Sequence, residues 1–128
     1  MQKHTYKILV VGPASGFGPL LEELAERGYR SEAVADVRTA STYLLRHSAD
    51  AALLGLPADS AEARMALEWL RAAKEELPVV VVSSEADMQP YLAAMESGAF
   101  DYFTRHTPLA EIERVLAAAI RWRQQKVA

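Results

Sequence analysis

The sequence predicts a doubly wound α/β domain, a five-stranded parallel sheet with helices on both faces. Short apolar runs and helical stretches alternate five times along the 128 residues. The runs are apolar at consecutive positions, the pattern of strands buried on both faces. No linker, internal repeat or low-complexity tract interrupts them, so residues 1–128 read as one domain.

The first strand is Lys7-Ile8-Leu9-Val10-Val11, stopped by Gly12-Pro13. A helix follows from Phe17 to Arg27, with Leu20, Leu21, Leu24 and Ala25 on its apolar stripe and Gly28 as a left-handed cap. Tyr29 to Ala35 is a second, more polar strand. Asp36 or Thr39 caps a helix reaching about His47, with Ala40, Tyr43, Leu44 and His47 turned inward. The third strand, Ala51-Ala52-Leu53-Leu54, ends at Gly55 and Pro57. Ser60 opens a helix in which Met65, Ala66, Trp69, Leu70 and Ala73 recur at helical spacing. Pro78 launches the fourth strand, Val79 to Val82, closed by Ser83 and Ser84. A helix from Met88 to Ser97 ends at Gly98, and Phe100 to Thr104 is the fifth strand. Pro108 starts a last helix to about Gln125, with Leu109, Ile112, Leu116, Ala119 and Ile120 on its core face.

Composition excludes several classes. Hydrophobic residues are 51% and charged residues 24% of the chain, the balance of a globular domain and not of a disordered one. The net charge is −3, against a dedicated nucleic-acid binder, whose surface is basic. No window approaches the roughly 20 apolar residues of a membrane span, and no signal peptide precedes the first strand. There are no cysteines, hence no disulfide, thiolate metal site or cysteine nucleophile. A cytoplasmic protein is the expectation.

In an open parallel sheet, ligands bind beyond the carboxyl ends of the strands where strand order reverses. Those ends are Gly12-Pro13-Ala14, Gly55-Leu56-Pro57, Ser83-Ser84 and Arg105-His106. Ile8 to Val11, Asp50 to Leu54, Pro78 to Ser83 and Gly98-Ala99-Phe100-Asp101-Tyr102-Phe103 together resemble the receiver domains of two-component response regulators, over nearly the whole chain. The resemblance implies a flavodoxin-like (βα)5 fold and a phosphorelay signalling role. It also implies two acidic metal-binding residues after the first strand, where this chain has Gly12 and Pro13. Gly55 stands at the family's phosphoacceptor aspartate. Ser83 matches the hydroxyl residue after the fourth strand, Arg105 replaces the family's lysine, and Tyr102 holds the place of the switching aromatic.

Glycine and proline supply neither a nucleophilic carboxylate nor side-chain oxygens for a divalent ion, which aspartyl phosphorylation needs. The expectation is a degenerate receiver, non-enzymatic, without cofactor or metal, acting through protein–protein contacts. Two alternatives stay open. Asp59, four residues past Gly55, is either a displaced phosphoacceptor or a first-turn acid of the next helix. The loop Gly12-Pro-Ala-Ser-Gly16-Phe-Gly18 either cradles a nucleotide or anion or is a loop that replaces a lost metal site; its spacing fits neither the dinucleotide fingerprint nor the phosphate loop. The histidines His4, His47 and His106 make no metal spacing, and Ser15 lacks the first glycine of a hydrolase elbow.

In receivers the face of the fourth helix, fifth strand and fifth helix mediates dimerisation or contact with an output domain. Here that region holds Tyr91, Met95, Tyr102, His106, Val115, Ala118 and Trp122, flanked by Arg114 and Arg121. A tryptophan off the core stripe with arginines beside it has the composition of an interface anchor; the other placement for Trp122 is over the lower edge of the sheet. The expected partner is a protein or an output domain, with a homodimer through this face as one form, and neither nucleic acid nor membrane. Arg121, Arg123 and Lys126 also complement the dipole at the end of the last helix.

Overall fold

The computed structural model describes residues 5–12, 18–55, 61–83, 88–104 and 106–127. Strands β1 (Tyr6–Val11), β2 (Tyr29–Val34), β3 (Ala51–Leu54), β4 (Val79–Ser83) and β5 (Asp101–Thr104) alternate with helices α1 (Gly18–Glu26), α2 (Val37–Leu44), α3 (Ala61–Ala73), α4 (Met88–Glu96) and α5 (Leu109–Val127). The five strands form one sheet in the order β2-β1-β3-β4-β5, every pairing parallel. The expected fold class is what the structure has.

Alternation along each strand feeds two cores, which is why the central runs carry no polar residue. Leu9, Val11, Ala52, Leu54, Val79 and Val81 face α2, α3 and α4, meeting Ala40, Leu44, Ala66, Leu67, Leu70 and Ala94. Ile8, Val10, Leu53, Val80 and Phe103 face the other way, onto Leu24 of α1 and Ile112, Val115, Leu116 and Ile120 of α5. The edge strand β2 is exposed from Arg30 to Ala33, and its charged residues there guard an open edge.

Several local expectations hold and several need correcting. Gly28 has φ +92° after α1, as a left-handed cap requires. Asp36, not Thr39, caps α2: its carboxylate accepts from the Thr39 N–H at 2.8 Å, and that bond holds its carboxyl below the ordinary aspartate range. The helix stops at Leu44, so His47 is exposed and stacks on Tyr43 with ring centroids 4.5 Å apart. Ala25 is exposed as well, leaving Leu24, Leu20 and Leu21 to face the core. On α3 the buried stripe is Ala66, Leu67 and Leu70. Met65, Trp69 and Ala73 are on the outside, because the helix presents its leucine side to the sheet. Val115 lies in the core with Leu116 and is not part of any outer face; Leu109 is only partly buried. The start of α3 at Ser60 lies outside the described residues.

Candidate functional site

Strand order reverses between β1 and β3, since their outward connections run to opposite sides of the sheet, and the crevice above this point is the ligand position of such folds. Two glycines form its floor. Gly12 donates its N–H to the Val34 carbonyl at 3.0 Å, and Gly55 donates to the Val11 carbonyl at 2.9 Å. Both strand ends are thereby pinned by backbone bonds to their neighbours. Gly12 is buried with φ +122°, a conformation L side chains rarely adopt. A Cβ at Gly12 would lie 2.3 Å from the Gly55 carbonyl oxygen. Here only glycine fits: the two backbones touch where other side chains would stand.

Ser83 ends β4 beside the crevice, buried at 4% exposure and paired in register with Thr104 of β5. Past that pair the chain turns through a threonine knot. The Thr104 N–H donates to the Thr107 hydroxyl oxygen at 3.2 Å, and the Thr104 hydroxyl oxygen accepts from the His106 N–H at 3.3 Å. Each hydroxyl takes the place of a backbone partner, a local turn device that carries no distinctive sequence signal. Arg105, Pro13, Asp59 and most of the Gly12–Gly18 loop lie outside the described residues. Among the described residues no three acidic or histidine side chains converge as a metal site.

Tyr102 is half-buried on β5 and packs against the core on the α2–α4 side. Its ring meets Tyr91 of α4 edge-on, with centroids 5.9 Å apart and planes at 87°. Met95 also packs on that core. Asp101 turns back so that its carboxylate accepts the Tyr102 N–H at 2.7 Å, fixing the strand where the tyrosine enters it. His106 is exposed, and Ala118 is half-buried.

Trp122 does not join this group. Its ring packs on Phe100, just before β5, at 6.2 Å, and the Lys126 ammonium sits 5.6 Å from its centroid. With Arg71, Glu75, Glu76 and Lys126 it lines a recess at the start of β5, the opposite end of the strand from Ser83 and the crevice. The single face expected from sequence is thus two places: a tyrosine pair between α4 and β5, and a tryptophan at the lower edge. Nearby, Asp50 clamps the base of the sheet, accepting the Lys7 N–H at 2.8 Å and meeting Arg123 at 3.6 Å.

No protein-family model matches the chain. In sequence it is 32% identical over 101 residues, 77% of its length, to the virulence transcriptional regulatory protein PhoP of Salmonella typhimurium. The chain spans 44% of that relative's length. Its fold is similar to a CheY-like response regulator receiver domain from Methanospirillum hungatei, with a TM-score of 0.79 and 15% identity, covering 95% of this chain and 98% of the other. It is also similar to the receiver domain of a Pseudomonas aeruginosa sensor histidine kinase, solved with magnesium coordinated in its active-site cleft. There the TM-score is 0.76 and the identity 24%, over 91% of this chain and 98% of that one.

Proposed function

We propose that this chain, a domain of the response-regulator receiver type, is a signalling module that acts by binding protein and carries no phosphoryl group on an aspartate at the switch point. The observation that carries the reading is the contact of Gly12 with Gly55. Phosphoryl transfer to protein calls for a carboxylate nucleophile and a dication to neutralise the moving charge. The Pseudomonas receiver holds magnesium in its cleft. In this chain Gly12 and Gly55 offer no side-chain oxygen at the corresponding positions, and the space a carboxylate would start from at Gly12 is taken by the Gly55 carbonyl. These residues do not fit a hard dication, which binds through carboxylate and water oxygens.

Binding is what the remaining features support. Tyr91 and Tyr102 form an aromatic pair with Tyr91 38% exposed, and Leu92 beside it is 45% exposed. Aromatic side chains of this kind are enriched at protein interfaces. The partner is a protein or an output domain of the same polypeptide, engaged through the α4–β5 surface, and binding there is read by the rotamer of Tyr102. The module is non-enzymatic and works without cofactor.

Incubation with a small phosphodonor such as acetyl phosphate in magnesium buffer, followed by intact-mass spectrometry, tests the reading. The expected result is an unchanged mass. A magnesium-dependent gain of one phosphoryl group, mapped to Asp59 or another acid, would overturn it. A thermal-shift panel of nucleotides checks the glycine loop separately; the account expects no concentration-dependent stabilisation.

A further inference from the structure

Helix α4 carries Tyr91, yet its own packing seats it weakly. Among the described residues it gives the core Ala94, which is buried, and Met95, which is partly so, while the bulky Tyr91 and Leu92 are exposed. An alanine covers the sheet without wedging into a groove, so the core by itself leaves the tilt of this helix loosely set.

The end of the helix is held more firmly. Gly98 has φ +101° and closes α4 as a left-handed cap, with its N–H donating to the Met95 carbonyl at 3.2 Å and the Ala99 N–H to the Ala94 carbonyl at 3.0 Å. The Gly98 carbonyl is taken from another element: the guanidinium of Arg71, in the last turn of α3, donates to it at 3.0 Å. The arginine stem lies against the glycine backbone, so closely that a Cβ at Gly98 would stand 2.6 Å from the Arg71 Cδ. A cation at this place also meets the negative end of the α4 dipole. Two residues on, the Phe100 N–H donates to the Val79 carbonyl at 2.7 Å, and Trp122 packs on the Phe100 ring. The entry to β5 is thereby tied to β4 and α5, and the end of α4 to α3.

Tyr91 lies seven residues before Gly98, which is about two turns and about 10 Å along the helix axis. A tilt of about 10° about the Gly98 end therefore carries the Tyr91 ring by about 2 Å. Edge-on pairs hold at centroid separations of about 4.5–7 Å, and this one stands at 5.9 Å from Tyr102. A retreat of about 2 Å takes it out of that range.

We infer that Arg71 is a positioning residue for the α4–β5 face: bonded to Gly98, it sets α4 against β5 so that Tyr91 meets Tyr102. The inference rests on the reading of that face as the partner-binding surface, but it is tested with no partner present. Ring resonances of the tyrosines in 1H–13C spectra of the full chain give the first readout. R71A is expected to shift the Tyr91 and Tyr102 rings and to leave in place Tyr6 and Tyr29, which pair with each other across β1 and β2. R71K, which keeps a donor within reach of the Gly98 carbonyl, recovers most of the shift.

Urea unfolding separates positioning from ordinary stabilisation. In the Y91A background the pair is already gone, so R71A raises the unfolding constant by more than about 2-fold further in the wild type than in Y91A. Sites that act independently add to within about 2-fold. An R71A chain with both rings unmoved overturns the inference, and so does a loss equal in the two backgrounds to within about 2-fold. A face that binds no protein while R71A still moves both rings would overturn the proposed function alone.

Discussion

Replacing Gly12 with alanine puts a methyl carbon 2.3 Å from the Gly55 carbonyl oxygen, about 1 Å inside normal contact. That oxygen is backbone, and the Gly55 N–H is already bonded to Val11 at 2.9 Å, so the strand end cannot swing aside cheaply. Two costs add. Holding a residue with a Cβ at φ +122° costs about 1–3 kcal/mol, and forcing a methyl into a packed site costs about 1–3 kcal/mol. The expected loss is about 2–6 kcal/mol, a large part of the roughly 5–15 kcal/mol that holds a domain together. For a chain of this size that lowers Tm by roughly 7–22 °C. Urea unfolding followed by tryptophan fluorescence and far-UV circular dichroism reads the effect, with the m-value unchanged if the unfolded ensemble is unaffected. A loss below about 1 kcal/mol would refute the reasoning, since it would mean the two backbones part without strain. The same geometry predicts that G12D folds no better than G12A. G55D should be milder, because Gly55 is not at positive φ.

Other consequences are smaller. Asp36→Ala should lower Tm at neutral pH by removing the cap of α2; the carboxyl is held below its ordinary value, so the difference between variant and wild type is present above about pH 3.8 and fades as pH falls through the folded-state pKa. Tyr29 titrates above its ordinary value of 10.0, first because it is buried and then because Glu113 and Tyr6 lie near it. Its contribution is therefore complete below pH 10 and is lost as pH rises through the raised pKa, so Tyr29→Phe should narrow the loss of stability under alkali in a pH-series of urea unfolding. A double-mutant cycle on Y91A and Y102A should give a coupling of about 0.5–1.5 kcal/mol for the edge-on pair; additivity of the two single changes would show that the rings do not support each other.

The layers of the fold are legible because the three central strands, β1, β3 and β4, carry unbroken apolar runs and each helix has a stripe. The choice between stripes is not. On α3 both Ala66-Leu67-Leu70 and Met65-Trp69-Ala73 satisfy helical spacing, and only the packing against β3 and β4 shows that the leucines go inside. Val115 hid in the same way, adjoining Leu116 on a helix whose buried arc is wider than one stripe. At the crevice, Gly12 and Gly55 were singled out for the side chains they lack. That they press on one another is a matter of φ and distance, which composition does not encode. The Thr104–Thr107 turn is not legible in the sequence, because two threonines three residues apart are ordinary in any loop. The resemblance to receivers groups Trp122 with Tyr102 on one face, and α5 periodicity adds only that Trp122 is off the core stripe; β5 separates the two, since Phe100 and Ser83 mark its opposite ends.

The central claim, a receiver fold whose switch point no longer takes a phosphoryl group, is tested most directly by amide NMR. The 15N-labelled chain is titrated with magnesium and then with beryllofluoride, a mimic of the acyl phosphate. The account predicts that the Gly12, Gly55, Ser83 and Tyr102 resonances stay in place at millimolar additions. Saturable shifts at those four positions would contradict it, because they would show that a carboxylate reaches the crevice and that the chain still works as a phosphoryl-accepting switch.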